Sequence, residues 1–231
     1  MIKNALTLLL LLVLAGMSTL AQAQDAKPGD AAQGAGKAAM CIGCHGIVGY
    51  QASFPEIYKV PMISGQGAKY IVSSLQGYAK GDRKHPTMRG IAASLSDQDM
   101  ADLAAYYEAQ GKAVATAAPP TTGVKPAPDA LKDRMAACVA CHGANFSAPI
   151  DPSYPRLAGQ HADYLQAALR AYHTDGNPQV GRSNAVMRSQ VVQDANGKKK
   201  LTFSPSELKQ VAAYISSLPG ELKVTPQHGI R

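Results

Sequence analysis

The chain has 231 residues, which is long enough for two small domains, and its formal net charge is +7. Its lysines and arginines form no dense stripe with interleaved aromatic residues, which argues against nucleic-acid binding. No tryptophan and only three phenylalanines are present, and ten tyrosines compensate only in part. We therefore expect a bound apolar group to complete each core.

The first 23 residues have the features of a secretory signal peptide. Lys3 supplies a positive charge, residues 6–15 are almost entirely apolar, and Ala21-Gln22-Ala23 fits a cleavage site with small residues. The apolar run is too short to span a membrane. The sequence predicts cleavage after Ala23 and export, which in a bacterium means the periplasm.

The next region, residues 24–112, is predicted to form an N-terminal domain. Asp30 is a suitable N-cap for an alanine-rich helix that carries the motif Cys41-Ile42-Gly43-Cys44-His45. Residues 46–58 show no clear hydrophobic period, which predicts a loop.

Two further helices are predicted in the same domain. Ile71, Leu75 and Tyr78 recur at i, i+4 and i+7 and would form one apolar face. Ser96, with Asp99 three residues later, indicates a capping box at the start of the next helix. The stretch between them, residues 81–89, is predicted to be a loop.

The segment 113–128 is rich in proline, alanine and threonine, a composition typical of an extended linker. Residues 129–231 then repeat the first half, with a second motif at Cys138-Val139-Ala140-Cys141-His142. Ser204, followed by Pro205 and by a glutamate two residues further on, repeats the capping signal. We therefore expect an all-α fold with about three main helices in each half.

The two C-x-x-C-H motifs contain all four cysteines of the chain. Two thiols at this spacing can reach the vinyl groups on one porphyrin edge, and the adjacent histidine can bind the iron. The alternatives are a redox-active pair, a small disulfide or a zinc site. A four-cysteine zinc site would leave His45 and His142 unexplained. The motifs predict two covalently bound haem c groups, with these histidines as iron ligands.

Methionine or histidine usually fills the sixth iron position in an electron carrier. Met187 is the only methionine after the second motif, 45 residues past its histidine. The first half offers Met62, Met88 and Met100, of which Met88 matches best, because it lies 43 residues past its histidine and also precedes an arginine. We predict Met88 and Met187 as the axial ligands. The alternative is a second histidine, and His85 and His173 are the candidates.

In these residues the chain resembles the cytochrome c4 family, exported dihaem cytochromes with two class I cytochrome c domains. The matching stretches include both motifs with the glycine that follows each, residues 154–160, residues 95–106, and the paired Met88 and Met187. The resemblance implies two His/Met-ligated haems with their propionate edges towards each other. It also implies that the carbonyl oxygens of Pro61 and Pro155 accept hydrogen bonds from the proximal histidines.

The second half departs from the first by an insertion after Met187. It contains Asn196-Gly197 between short apolar runs, which suggests a β-hairpin. The insertion is either a solvated loop or a docking surface for an acidic partner.

Together these features indicate a soluble periplasmic electron carrier rather than an enzyme. Its partners would be respiratory complexes: a quinol-oxidising complex or dehydrogenase as donor, and a terminal oxidase or reductase as acceptor. One alternative is the cytochrome subunit of a periplasmic redox enzyme, such as a flavocytochrome sulfide dehydrogenase. Another is a catalytic dihaem enzyme, which would need an open sixth iron position.

Overall fold

The computed structural model describes residues 27–112, 126–195 and 198–226. The predicted signal peptide and most of the predicted linker lie outside these residues. Within them the fold is mostly helical, as predicted, and none of the helices is both long and apolar enough to cross a membrane. The α-helices are α1 (Ala31–Lys37), α2 (Ala39–His45), α3 (Ala68–Lys80), α4 (Pro86–Ala93), α5 (Asp97–Lys112), α6 (Asp129–Lys132), α7 (Ala136–His142), α8 (Ala162–Ala171), α9 (Ala185–Val191) and α10 (Pro205–Ser217). The strands are β1 (Gln51–Ala52), β2 (Tyr58–Lys59), β3 (Arg83–Lys84), β4 (Gly181–Arg182), β5 (Val192–Ala195) and β6 (Lys198–Leu201).

The first helix begins where predicted, because the Asp30 side chain accepts hydrogen bonds from the N–H groups of residues 32 and 33. It ends at Lys37, so the first motif lies on its own short helix, α2. At Gly34 an added Cβ would lie 2.1 Å from the carbonyl oxygen of Asp102, and only glycine permits this close packing of α1 on α5.

The buried Asp102 carboxylate also ties α1 to α5. It accepts hydrogen bonds from the Asp30 N–H at 2.9 Å and from Lys37 Nζ at 2.6 Å. The Asp30 N–H and the Lys37 ammonium lower its pKa to about 2, so it stays ionised when it is buried.

The core of the first half lies between α3 and α5. Ile71 and Tyr78 are buried on α3, and Leu103 and Tyr107 are buried on α5. The predicted capping box of α5 is present, because Asp99 accepts a hydrogen bond from the Ser96 N–H and donates its own N–H to Ser96 Oγ.

The loop predicted for residues 81–89 is wrong in part, since it contains strand β3 and the beginning of α4. Met88 therefore lies on a short helix, and so does Met187, on α9. Periodicity does not reveal helices of seven or eight residues, because they show too few turns. The predicted loop 46–58 likewise contains strand β1 and the first residue of β2, and these two strands pair antiparallel.

The second half packs α8 against α10 around a core that includes Leu131, Phe146, Leu208 and Ile215. The capping box at the start of α10, with Ser204 as N-cap, is confirmed. Strands β5 and β6 pair antiparallel on either side of residues 196 and 197, which confirms the predicted hairpin.

Two buried glutamines join the halves by reciprocal hydrogen bonds. Gln66 accepts from the Arg156 N–H at 2.9 Å and donates to the Arg156 carbonyl at 3.0 Å. Gln160 does the same with Met62, at 3.0 and 2.9 Å. Each amide therefore satisfies both backbone groups of one residue in the opposite half.

The interface is extended at two further places. Strand β3 of the first half pairs with β4 of the second, with Arg83 opposite Arg182. Near the end of the chain, Lys223 donates its N–H to the Ser64 carbonyl at 3.1 Å. The two halves thus share backbone hydrogen bonds as well as side-chain contacts.

Replacing Gln160 with leucine should lower the free energy of unfolding of the holoprotein by about 1–3 kcal/mol, because both backbone groups of Met62 lose their partner. Denaturant unfolding would measure this change. The matched control is Gln179→Leu at an exposed position, where a change within about 0.5 kcal/mol is expected. Equal effects of the two substitutions would show that the buried amide contributes nothing specific.

Candidate functional site

Both C-x-x-C-H motifs face one continuous cavity of about 890 Å³ between the two halves. This volume lies in the upper part of the range for ligand pockets. The structure brings all the predicted thioether and iron-ligand residues to this one cavity. They are Cys41, Cys44, His45, Met88, Cys138, Cys141, His142 and Met187.

The cysteines occur as two pairs, each on one helical turn, in α2 and in α7. None of the four forms a disulfide, and burial raises the pKa of the Cys41 and Cys138 thiols. Within the described ranges, no three His, Cys, Asp or Glu side chains are grouped as a metal ion requires.

The two motif histidines are each held by a backbone carbonyl. His45 Nδ1 lies 2.8 Å from the Pro61 oxygen, and His142 Nδ1 lies 3.1 Å from the Pro155 oxygen. An Nδ1–H donated to a carbonyl leaves Nε2 as the free nitrogen of the ring. Burial lowers the pKa of both histidines, which favours the neutral imidazole that can bind a metal.

The predicted methionine ligands occupy equivalent positions on their helices. The Met88 N–H donates to His85 Nδ1 at 3.3 Å, and the Met187 N–H donates to Asn184 Oδ1 at 3.0 Å. The capping side chains fix the first turn of α4 and of α9, and thereby the position of each methionine. Sequence reasoning did not identify either cap, although each lies three residues before its methionine.

Of the competing ligand candidates, Met62 and His85 also line the cavity, whereas Met100 and His173 do not. Met100 is 3% exposed in the core and does not line the cavity. Met62 lines the cavity, while its backbone is bound by Gln160. His85 uses Nδ1 as the helix cap, and His173 is not part of the cavity wall.

The residues present fit a covalently bound haem at each motif. Each motif offers two unpaired thiols and an imidazole held through one nitrogen, and a methionine lies on the same cavity. The wall also contains apolar side chains such as Leu75 and Val211. In addition, the Nε atom of Arg83 is buried without a hydrogen-bond partner on the protein. A porphyrin with carboxylate substituents suits both the apolar and the charged parts of this wall.

Comparison with known proteins gives a consistent result. The family model described as Cytochrome c matches residues 30–110 and 130–219. Cytochrome c4 of Azotobacter vinelandii is 34% identical over 94% of this chain and 99% of its own length. A thiosulfate dehydrogenase electron acceptor of Stutzerimonas stutzeri is 33% identical over 77% of this chain and 86% of its own length. The crystal structure of reduced cytochrome c4 from Pseudomonas stutzeri is 27% identical, covers 83% of this chain and all of its own, and superposes with a TM-score of 0.55.

The substitutions Met88→Ala and Met187→Ala should each remove about half of the weak near-infrared sulfur–iron band of the oxidised holoprotein. The reason is that each methionine would ligate one of the two irons. Absorption spectroscopy at equal haem content would measure the band. Met62→Ala is the matched control, because Met62 also lines the cavity. A full band in Met88→Ala with a halved band in Met62→Ala would transfer the first ligand position to Met62.

Replacing Cys138 and Cys141 with alanine should lower the mass of the exported protein by one haem, beyond the mass of the two sulfur atoms. The first motif should keep its haem, because its thiols are on a separate helix. Intact-protein mass spectrometry would count the groups. An unchanged haem mass would refute covalent attachment at the second motif.

Proposed function

The chain belongs to the cytochrome c4 family of dihaem electron-transfer cytochromes, and on this basis we propose that it carries electrons in the periplasm between respiratory complexes. The donor would be a quinol-oxidising complex or a dehydrogenase, and the acceptor a terminal oxidase or reductase. The chain holds two haem c groups, which supply one-electron chemistry when they are bound.

The observation that carries this proposal is the single cavity onto which both sets of predicted ligands face. It would keep the two haem groups within one protein interior, which supports the proposal that an electron crosses the molecule. The cysteine pairs would anchor the groups, and the bonds from His45 to Pro61 and from His142 to Pro155 would orient the imidazoles. Methionine sulfur at the sixth position favours the reduced state.

The predicted sixth ligands also bear on the alternative of a catalytic dihaem enzyme. Such an enzyme needs a position on the iron that substrate can occupy. Here Met88 and Met187 lie on capped helices at the cavity, which supports two closed sites. Electron transfer is therefore the better proposal.

A second candidate is the electron acceptor of one particular periplasmic dehydrogenase. It is favoured by the relative that is named as the electron acceptor of thiosulfate dehydrogenase. Exposed apolar side chains also lie after the first motif, where Val48 and Ile57 are 75% and 76% exposed and are not part of the cavity wall. Exposed apolar surface of this kind suits a protein partner.

A reductive titration of the purified holoprotein should consume two electrons per chain, one for each haem. The reduced protein should be reoxidised by membrane vesicles that contain a terminal oxidase, and it should not turn over thiosulfate or peroxide alone. Cell fractionation should recover it in the periplasm with the N-terminus at Gln24. Turnover by the isolated protein would favour the catalytic alternative. A dehydrogenase chain that copurifies in fixed ratio would favour the second candidate.

A further inference from the structure

Two arginines occupy equivalent positions in the two halves. Arg83 and Arg182 each lie five residues before the predicted methionine ligand of their half. Strands β3 and β4 place them directly opposite each other, and both line the cavity. Like charges at directly opposed positions of a β pair are destabilising unless another group neutralises them.

The contacts of Arg83 are with neutral hydroxyl groups. Its Nη1 donates to Ser74 Oγ at 2.8 Å and to the Tyr70 hydroxyl at 3.2 Å. Its Nη2 donates to the Tyr164 hydroxyl of the opposite half at 2.6 Å. The Tyr78 ring centroid lies 4.6 Å from the guanidinium carbon. These groups hold the guanidinium in place, but none of them carries a formal negative charge at neutral pH.

Arg182 has a similar environment. Its Nη2 donates to the same Tyr164 hydroxyl at 3.1 Å, and the Tyr172 ring lies 5.6 Å from its guanidinium carbon. Among the residues that the structure describes, neither arginine takes part in an ion pair. The Nε atom of Arg83 is buried and has no partner on the protein. The pair is thus short of both negative charge and hydrogen-bond acceptors.

The effect of this excess positive charge is evident at Tyr70. Burial by itself would raise the pKa of the Tyr70 hydroxyl, but the charges of Arg83 and Arg182 lower it to about 8. Both arginines are half-buried at the cavity, and a charge that is withdrawn from water is normally paired with an opposite charge. This geometry favours an anion on the cavity side of the two guanidinium groups.

We propose that Arg83 and Arg182 form a carboxylate clamp for the propionate groups of the two haems. Each haem carries two propionates, and the arginines face the cavity that both motifs share. The guanidinium group binds carboxylates through two parallel hydrogen bonds, which a lysine cannot reproduce. The tyrosines and Ser74 position the guanidinium groups without neutralising their charge, and the propionates would neutralise it.

This clamp predicts an effect on the reduction potentials. A positive charge near the iron, and a neutralised propionate, both favour Fe(II) over Fe(III). Because the two arginines are neighbours at the interface, either one can influence both haems. The inference rests on the bound haems and not on the proposed partners, so its failure would leave the proposed function unaffected.

The test is a spectroscopic redox titration of holoprotein carrying Arg83→Gln or Arg182→Gln. Each substitution should shift the Fe(III)/Fe(II) equilibrium of at least one haem about tenfold towards Fe(III), which is 59 mV for a one-electron couple. The control is Arg89→Gln, which removes the same charge at an exposed site next to Met88 and should shift the equilibrium less than threefold. Shifts no larger than that of the control, at full haem content, would overturn the proposal.

The variants Arg83→Lys and Arg182→Lys separate the clamp from a purely structural role. Lysine keeps the charge but not the paired hydrogen bonds. The reduction potentials of the lysine variants should therefore lie between those of the glutamine variants and those of the wild type. The infrared difference spectrum between oxidised and reduced protein should show displaced propionate carboxylate bands. Wild-type band positions in both lysine variants would overturn the proposal, even if the glutamine variants failed to retain haem.

Discussion

The hydrogen bonds that Gln66 and Gln160 form across the interface link each proximal histidine to the opposite half of the molecule. Gln160 binds both backbone groups of Met62, and the preceding residue, Pro61, supplies the carbonyl that holds His45. The same relation connects Gln66, through Arg156 and Pro155, to His142. In each case the carbonyl and the N–H of one peptide group are both hydrogen-bonded, so this group has little freedom to shift. The contact between the halves therefore also fixes the orientation of the motif histidine.

A second segment in each half combines several tasks within six residues, 83–88 in the first and 182–187 in the second. Each begins with an arginine in the β3–β4 pair, continues with a side chain that caps a short helix, and ends with a predicted methionine ligand. The same stretch of backbone therefore sets the positions of the arginine charge at the cavity and of the predicted sulfur ligand. Because one segment sets both positions, the repeat is kept here although the capping residues differ, His85 in one half and Asn184 in the other.

The two halves differ in parts of their surface. The first half has the exposed apolar loop that contains Val48 and Ile57, and the second has the hairpin β5–β6. The motif cysteines and histidines and the two predicted methionine ligands of both halves nevertheless line the common cavity. Surface loops can differ in this way because they tolerate change without disturbing the packing of the elements that they connect.

The sequence by itself determined the features whose chemistry involves only neighbouring residues. The spacing of the C-x-x-C-H motifs, the caps at Asp30 and Ser204 and the repeat itself are visible without a structure, because their chemistry lies within a few positions along the chain. The helices of Met88 and Met187 were missed because seven or eight residues show too little periodicity. Only the tertiary structure decided that the motifs share one cavity, that Gln66 and Gln160 cross the interface and that Arg83 lies opposite Arg182. Those contacts join residues about 90 to 100 positions apart, and no short-range pattern encodes which distant groups will meet.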